Sequence, residues 1–114
     1  MRASDAGGTT VGMGGCLDRE RAFWDRVLNQ NYALAQEKAR EVDAENATLN
    51  VRLPKLITSL RDMQLAWIAF RDATCDFELA QWGGGTGGGP ALTACLMRET
   101  GEQALYLHDT WLSR

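Results

Sequence analysis

The stretch CDFELAQWGGGTGGGPALTAC, Cys75–Cys95, decides how this chain folds. Its centre, GGGTGGG over Gly83–Gly89, cannot continue a helix, because each glycine costs about 1 kcal/mol relative to alanine in a helix interior. Pro90 then restarts the chain at a position where a helix tolerates proline. Upstream, Leu56, Ile57, Leu60, Met63, Gln64, Trp67, Ile68, Arg71, Cys75 and Glu78 recur at three- and four-residue steps. That stripe is apolar except at Gln64, Arg71 and its last turn, and it predicts a helix ending near Gln81 or Trp82. Downstream, Leu92, Cys95, Leu96, Ala104, Leu105, Leu107, Trp111 and Leu112 predict another, loosened at Thr100 and Gly101. Two helices joined by so short a turn run antiparallel.

The cysteines of this stretch then fall at one height. Cys75 lies about two turns before the end of its helix, and Cys95 about one and a half turns after the start of the next. Both sit on the apolar stripes, so a disulfide between them is geometrically reasonable; it would close a loop worth roughly 3 kcal/mol by chain entropy. Buried reduced thiols in a cytosolic protein are the alternative that the spacing leaves open. Cys16 falls at the same end and can compete for either sulfur.

Working toward the N-terminus, Leu17, Trp24, Val27, Leu28, Tyr32, Ala35, Ala39 and Val42 form a further amphipathic stripe, with Arg19, Glu20, Arg26, Lys38 and Glu41 between them. It runs to about Asn46, where Asn46, Thr48 and Asn50 break the pattern, and Pro54 is expected in the first turn of the helix that follows. Residues 1–15 carry Gly7, Gly8, Gly12, Gly14 and Gly15 with little to bury, which predicts a flexible lead-in ahead of a helical domain over 16–114. The expected architecture is all-α: three helices, each on the order of 35–45 Å long, in an up-down-up bundle with the disulfide at one end.

Composition agrees with one soluble globular domain. The chain has 114 residues, of which 45% are apolar and 24% charged, enough for a single core. A formal charge of −3 without a concentrated basic face argues against nucleic acid and favours a basic protein partner. No stretch approaches the ~18 consecutive apolar residues of a membrane span, and Met1–Gly15 has no apolar signal-peptide core. That absence does not make the protein cytoplasmic, and the cysteines must decide the compartment.

Candidate chemistry is sparse. No C-x-x-C is present, and the single histidine, His108, stands roughly 20 Å along its helix from Cys95, so no metal site is expected. GGGTGGG lacks the Lys-Ser/Thr pair and the preceding strand of a phosphate loop and is expected to be a flexible connector. Arg71 lies on the apolar stripe and must find a partner or be left without water. Together with Asp72, Gln64, Asn29 and Tyr32 it is expected to form a polar clamp between the first two helices, with Asp25 a further partner. The carboxylate pairs Asp18/Glu20 and Asp76/Glu78 read as solvated helix faces, and His108 beside Asp109 as a surface residue with only Ser113 as a nearby hydroxyl. Trp82 abuts the glycine loop and is expected to be exposed, a contact anchor for a partner.

Several strings together resemble a known family. CLDRE at Cys16–Glu20, LNQNY at Leu28–Tyr32, MQLAWIAFRDATCDFE at Met63–Glu78, the glycine loop with Pro90, and ACLMRETGEQALYL at Ala94–Leu107 are similar to the lysozyme-inhibitor LprI-like family, N-terminal domain. The resemblance covers about Gly14–Leu112. Its most specific part is the Gln64, Trp67, Arg71, Asp72, Cys75 pattern followed by the loop and Cys95. It implies an exported, periplasmic or secreted, bacterial all-helical domain with disulfides and no cofactor. Members commonly carry a further cysteine upstream of the position of Cys16, which this sequence lacks, and an arginine near Gly101 and Gln103.

Two functions follow as expectations. The first is a non-enzymatic binding module that docks on a basic lysozyme-like hydrolase, with Trp82, Gly85 and Thr86 entering the partner's cleft. The alternative is a structural or assembly domain of a cell-envelope protein. No placement of nucleophile, base and orienting group supports an enzyme.

Overall fold

A computed structural model describes residues 10–50 and 52–114, the side chains of 10–14 excepted. Three helices account for most of it: α1, Thr10–Thr48; α2, Leu56–Ala80; and α3, Gly88–Leu107, which continues into a single π-helical turn, His108–Leu112. No strand occurs among the described residues.

The cross-links between helices fix their directions. Trp24 lies against Gly101, Asn31 donates to the Ala104 carbonyl at 3.0 Å and Trp111 Nε1 donates to the Ala35 carbonyl at 3.1 Å. Position numbers rise together along α1 and α3, so those two helices are parallel. Cys75 bonds Cys95, whereas Gln64 meets Gln103, so α2 runs opposite to α3. The order is up, down, up, as the stripes predicted.

Three expectations change. The helices are unequal: α1 has 39 residues, about 58 Å at helical rise, against 25 for α2. The expected lead-in of 1–15 is helical from Thr10, and its first nine residues lie outside those described. Gly12, Gly14 and Gly15 each weaken a helix, but extending one already nucleated costs only that per-residue increment. Pro54, in turn, stands outside α2, one residue before the N-cap Lys55.

The packing is thin. The Cα envelope measures 62 × 28 × 15 Å, and α3 lies chiefly against α1, with α2 less closely held to either. The buried apolar set is small: Leu28, Ala35 and Ala39 of α1, Ala104 and Leu107 of α3, and the two bonded cysteines. Trp24, Tyr32, Met63, Trp67 and Trp111 close around it only in part. The small residues have a purpose here, since Gly101 presents bare backbone to the indole of Trp24, where an added Cβ would stand 3.3 Å from the ring.

Candidate functional site

The bend between α2 and α3 gathers the residues that the sequence singled out for a partner. Trp82 follows the last turn of α2 and is half exposed, at 52%. The loop after it is wound rather than slack: Gly85 N–H donates to the Trp82 carbonyl at 3.1 Å, and Gly88 N–H to the Gly85 carbonyl at 3.2 Å. Gly83 adopts φ +59°, a conformation open to glycine at little steric cost. One face of the Trp82 ring rests on Gly87, where an added Cβ would overlap the indole. The connector is thus a seat that holds an aromatic side chain half in water, with Gly85 and Thr86 exposed at its tip.

Two links fasten this end, the disulfide and an ion pair. The disulfide Cys75–Cys95 joins the helices with Cα atoms 5.6 Å apart. One turn on, Arg98 donates to Glu78 at 2.6 Å and to the Cys95 sulfur at 3.4 Å. The Glu78 hydrogen bond holds the Arg98 guanidinium above its ordinary range. Cys16 is free and accepts from Arg19 at 3.4 Å.

The residues expected to clamp α1 to α2 are not brought together as a group. Gln64 is buried and accepts from Gln103 at 3.0 Å, so the polar join runs from α2 to α3. Arg71 donates to Asp72 at 3.0 Å, and its guanidinium lies 5.0 Å from the centre of the Trp67 ring. Among the described residues it makes no hydrogen bond to α1: Asp25 is taken by Arg21 at 2.6 Å, Asn29 is exposed and Tyr32 packs on the core. The reason is the looser hold of α2 on α1, which leaves Arg71 a solvated partner on its own helix.

Sequence reasoning missed the polar groups that do join the helices. Asp43 of α1 accepts from the backbone of α2, and Lys38 of α1 donates to the carbonyls of Trp111 and Arg114 with its ammonium 4.5 Å from the Trp111 ring centre. Charge at helix ends is the signal that finds such residues, but only once neighbouring ends are known. An apolar groove of about 290 Å³ also opens beside the π turn, between Leu60, Met63, Tyr106 and Trp111.

No arrangement for catalysis appears in these groups. His108 Nδ1 stands 2.9 Å from Asp109 Oδ1, both exposed, and the Ser113 hydroxyl donates to the Asp109 backbone carbonyl rather than to the imidazole. Among the described residues no cluster of three or more His, Cys, Asp or Glu side chains is placed to hold a metal. No described helix is long and apolar enough to cross a membrane.

A protein of Rhizobium meliloti (strain 1021) described as "Uncharacterized protein R02472" is 24% identical over 94 residues, covering 82% of this chain and 68% of that protein. No solved structure matches significantly. The sequence profile of the family described as "Lysozyme inhibitor LprI" matches residues 1–107. With a match of that extent, and a disulfide-closed helical hairpin carrying the strings that suggested it, the chain belongs to the lysozyme inhibitor LprI family.

Proposed function

We propose that this protein is a non-enzymatic module that inhibits a lysozyme-like hydrolase by docking on it with the α2–α3 bend, in an exported setting. The observation that carries the reading is Trp82, held half exposed on Gly87 at the disulfide-fastened end. A large aromatic fixed before contact loses little conformational freedom on binding, and tryptophans are the commonest energetic anchors of protein interfaces. The exposed carboxylates Asp72 and Asp76 flank the approach on α2, and the net charge of −3 favours encounter with a basic enzyme. A disulfide as the main cross-link of a thin bundle suits an oxidising compartment.

Titration of the purified chain into muramidase assays with several lysozyme types tests this. Inhibition is expected, and Trp82→Ala should weaken it at least ~10-fold with the helical circular dichroism unchanged. Unaltered muramidase activity at high micromolar excess of the chain, across all types, rejects the reading.

A further inference from the structure

The outer face of α2 carries a seam that the three-helix packing leaves open from Ala66 onward. Leu56, Ser59, Met63, Ala66, Phe70, Ala73, Phe77 and Ala80 follow one another at alternating steps of three and four. Steps of that kind keep residues on one helix face and define the contact line of paired helices. Large side chains stand at Leu56, Met63, Phe70 and Phe77, and small ones at Ser59, Ala66, Ala73 and Ala80, in strict alternation. No charged residue interrupts the line. From Ala66 onward every member is exposed, with Phe70 at 61% and Phe77 at 68%. Of all α2 only Gln64 and Cys75 are buried.

We infer that this seam pairs with the same seam of a second copy, antiparallel, about a two-fold axis. In an antiparallel pair each large position of one helix meets the small position of the other, so a line alternating large and small is complementary to itself. Phe70 then enters the gap over Ala73 of the second copy, and Phe77 that over Ala66. By two-fold symmetry each contact occurs twice.

Charge selects this register. Asp62, Ala69 and Asp76 flank the seam on one side. In the register just given Asp76 faces Ala69 of the second copy. Sliding by one heptad, so that Phe70 meets Ala66, would set Asp62 against Asp76 of the second copy, and like charges so placed repel. A different helical partner would have no reason to match both the volume alternation and the spacing of these carboxylates. The interlocking span, Ala66–Phe77, is about 12 residues, roughly 18 Å of helix. Its four phenylalanines together bury on the order of 500 Å², below the ~1,200 Å² of a standard interface, so the pair is a weak one with dissociation expected in the high micromolar range. Trp82, turned onto Gly87, lies outside the seam, whereas Asp76 borders both surfaces.

The test is sedimentation equilibrium of the full chain from ~1 to ~500 μM, after alkylation of Cys16 to exclude covalent dimers, with circular dichroism checking the fold of each variant. A monomer–dimer equilibrium is expected. Phe77→Lys should abolish it, and Phe70→Ala and Ala73→Phe should each weaken it at least ~10-fold. The double variant Phe70→Ala/Ala73→Phe should restore dimerisation to within a few-fold, because every layer again holds one large and one small residue. A chain monomeric throughout that range overturns the inference. So does a dimer indifferent to Phe77→Lys, or a double variant no better than the single ones.

Discussion

The carboxylate of Asp43, near the end of α1, accepts hydrogen bonds from the backbone N–H groups of Leu56 at 2.8 Å and Ile57 at 3.0 Å, the first two residues of α2. The N-cap of α2, Lys55, makes no side-chain capping bond of its own. Asp43 therefore does from a neighbouring helix what a capping Ser or Asp usually does from within, and its negative charge faces the positive end of the α2 dipole. Five residues earlier, Lys38 engages carbonyls at the end of the third helix. One helix thus terminates both of the others, each with the sign of charge that its end requires.

Asp43→Ala should lower stability by ~1–2 kcal/mol, the ordinary cost of a lost cap. Asp43→Asn should retain part of it, since one amide oxygen can still accept. Urea denaturation midpoints with unchanged slopes check both.

Replacing both Cys75 and Cys95 by alanine, or reducing the bond, should cost about 3 kcal/mol. The effect should be severe in a bundle only 15 Å thick, because little other burial is left to hold α2. Thermal melting with and without reductant measures it, and α2 amides should then exchange faster than those of α1.

Gln64 and Gln103 should behave asymmetrically. Gln64→Leu alone leaves the Gln103 amide buried and unpaired, at an expected cost of ~1–3 kcal/mol. The double change Gln64→Leu/Gln103→Leu should recover most of that loss. A double-mutant cycle in urea yields the coupling; additive losses would mean that the two amides are independent.

Gly101→Val should destabilise by ~1–3 kcal/mol, since even a Cβ would stand 3.3 Å from the Trp24 ring and α1 and α3 cannot part without uncovering Leu28 and Ala104. Red-shifted tryptophan emission should accompany it.

Much of the candidate end was legible in the sequence. Glycines that cannot continue a helix, with cysteines at matching distances on either side, specify a hairpin and make its bond geometrically reasonable from local chemistry alone. Exposure of Trp82 followed from its place beyond the last stripe residue. Its seat on Gly87 did not, because which glycine meets an aromatic ring depends on how the loop winds.

The amino-acid order by itself determined the helical stripes, the bend and the matching heights of Cys75 and Cys95, because each depends on residues within a few turns of one another; the packed structure decided that those two sulfurs are bonded and Cys16 is not. Tertiary structure alone decided that Gln64 joins Gln103 rather than α1, that Arg71 stays on its own helix, and that Asp43 and Lys38 close the ends of other helices. It also decided the π turn His108–Leu112, near which Trp111 reaches the Ala35 carbonyl. Periodicity tells which face of a helix is buried, but not which neighbour covers it; a polar side chain takes the partner that the packed helices bring within reach.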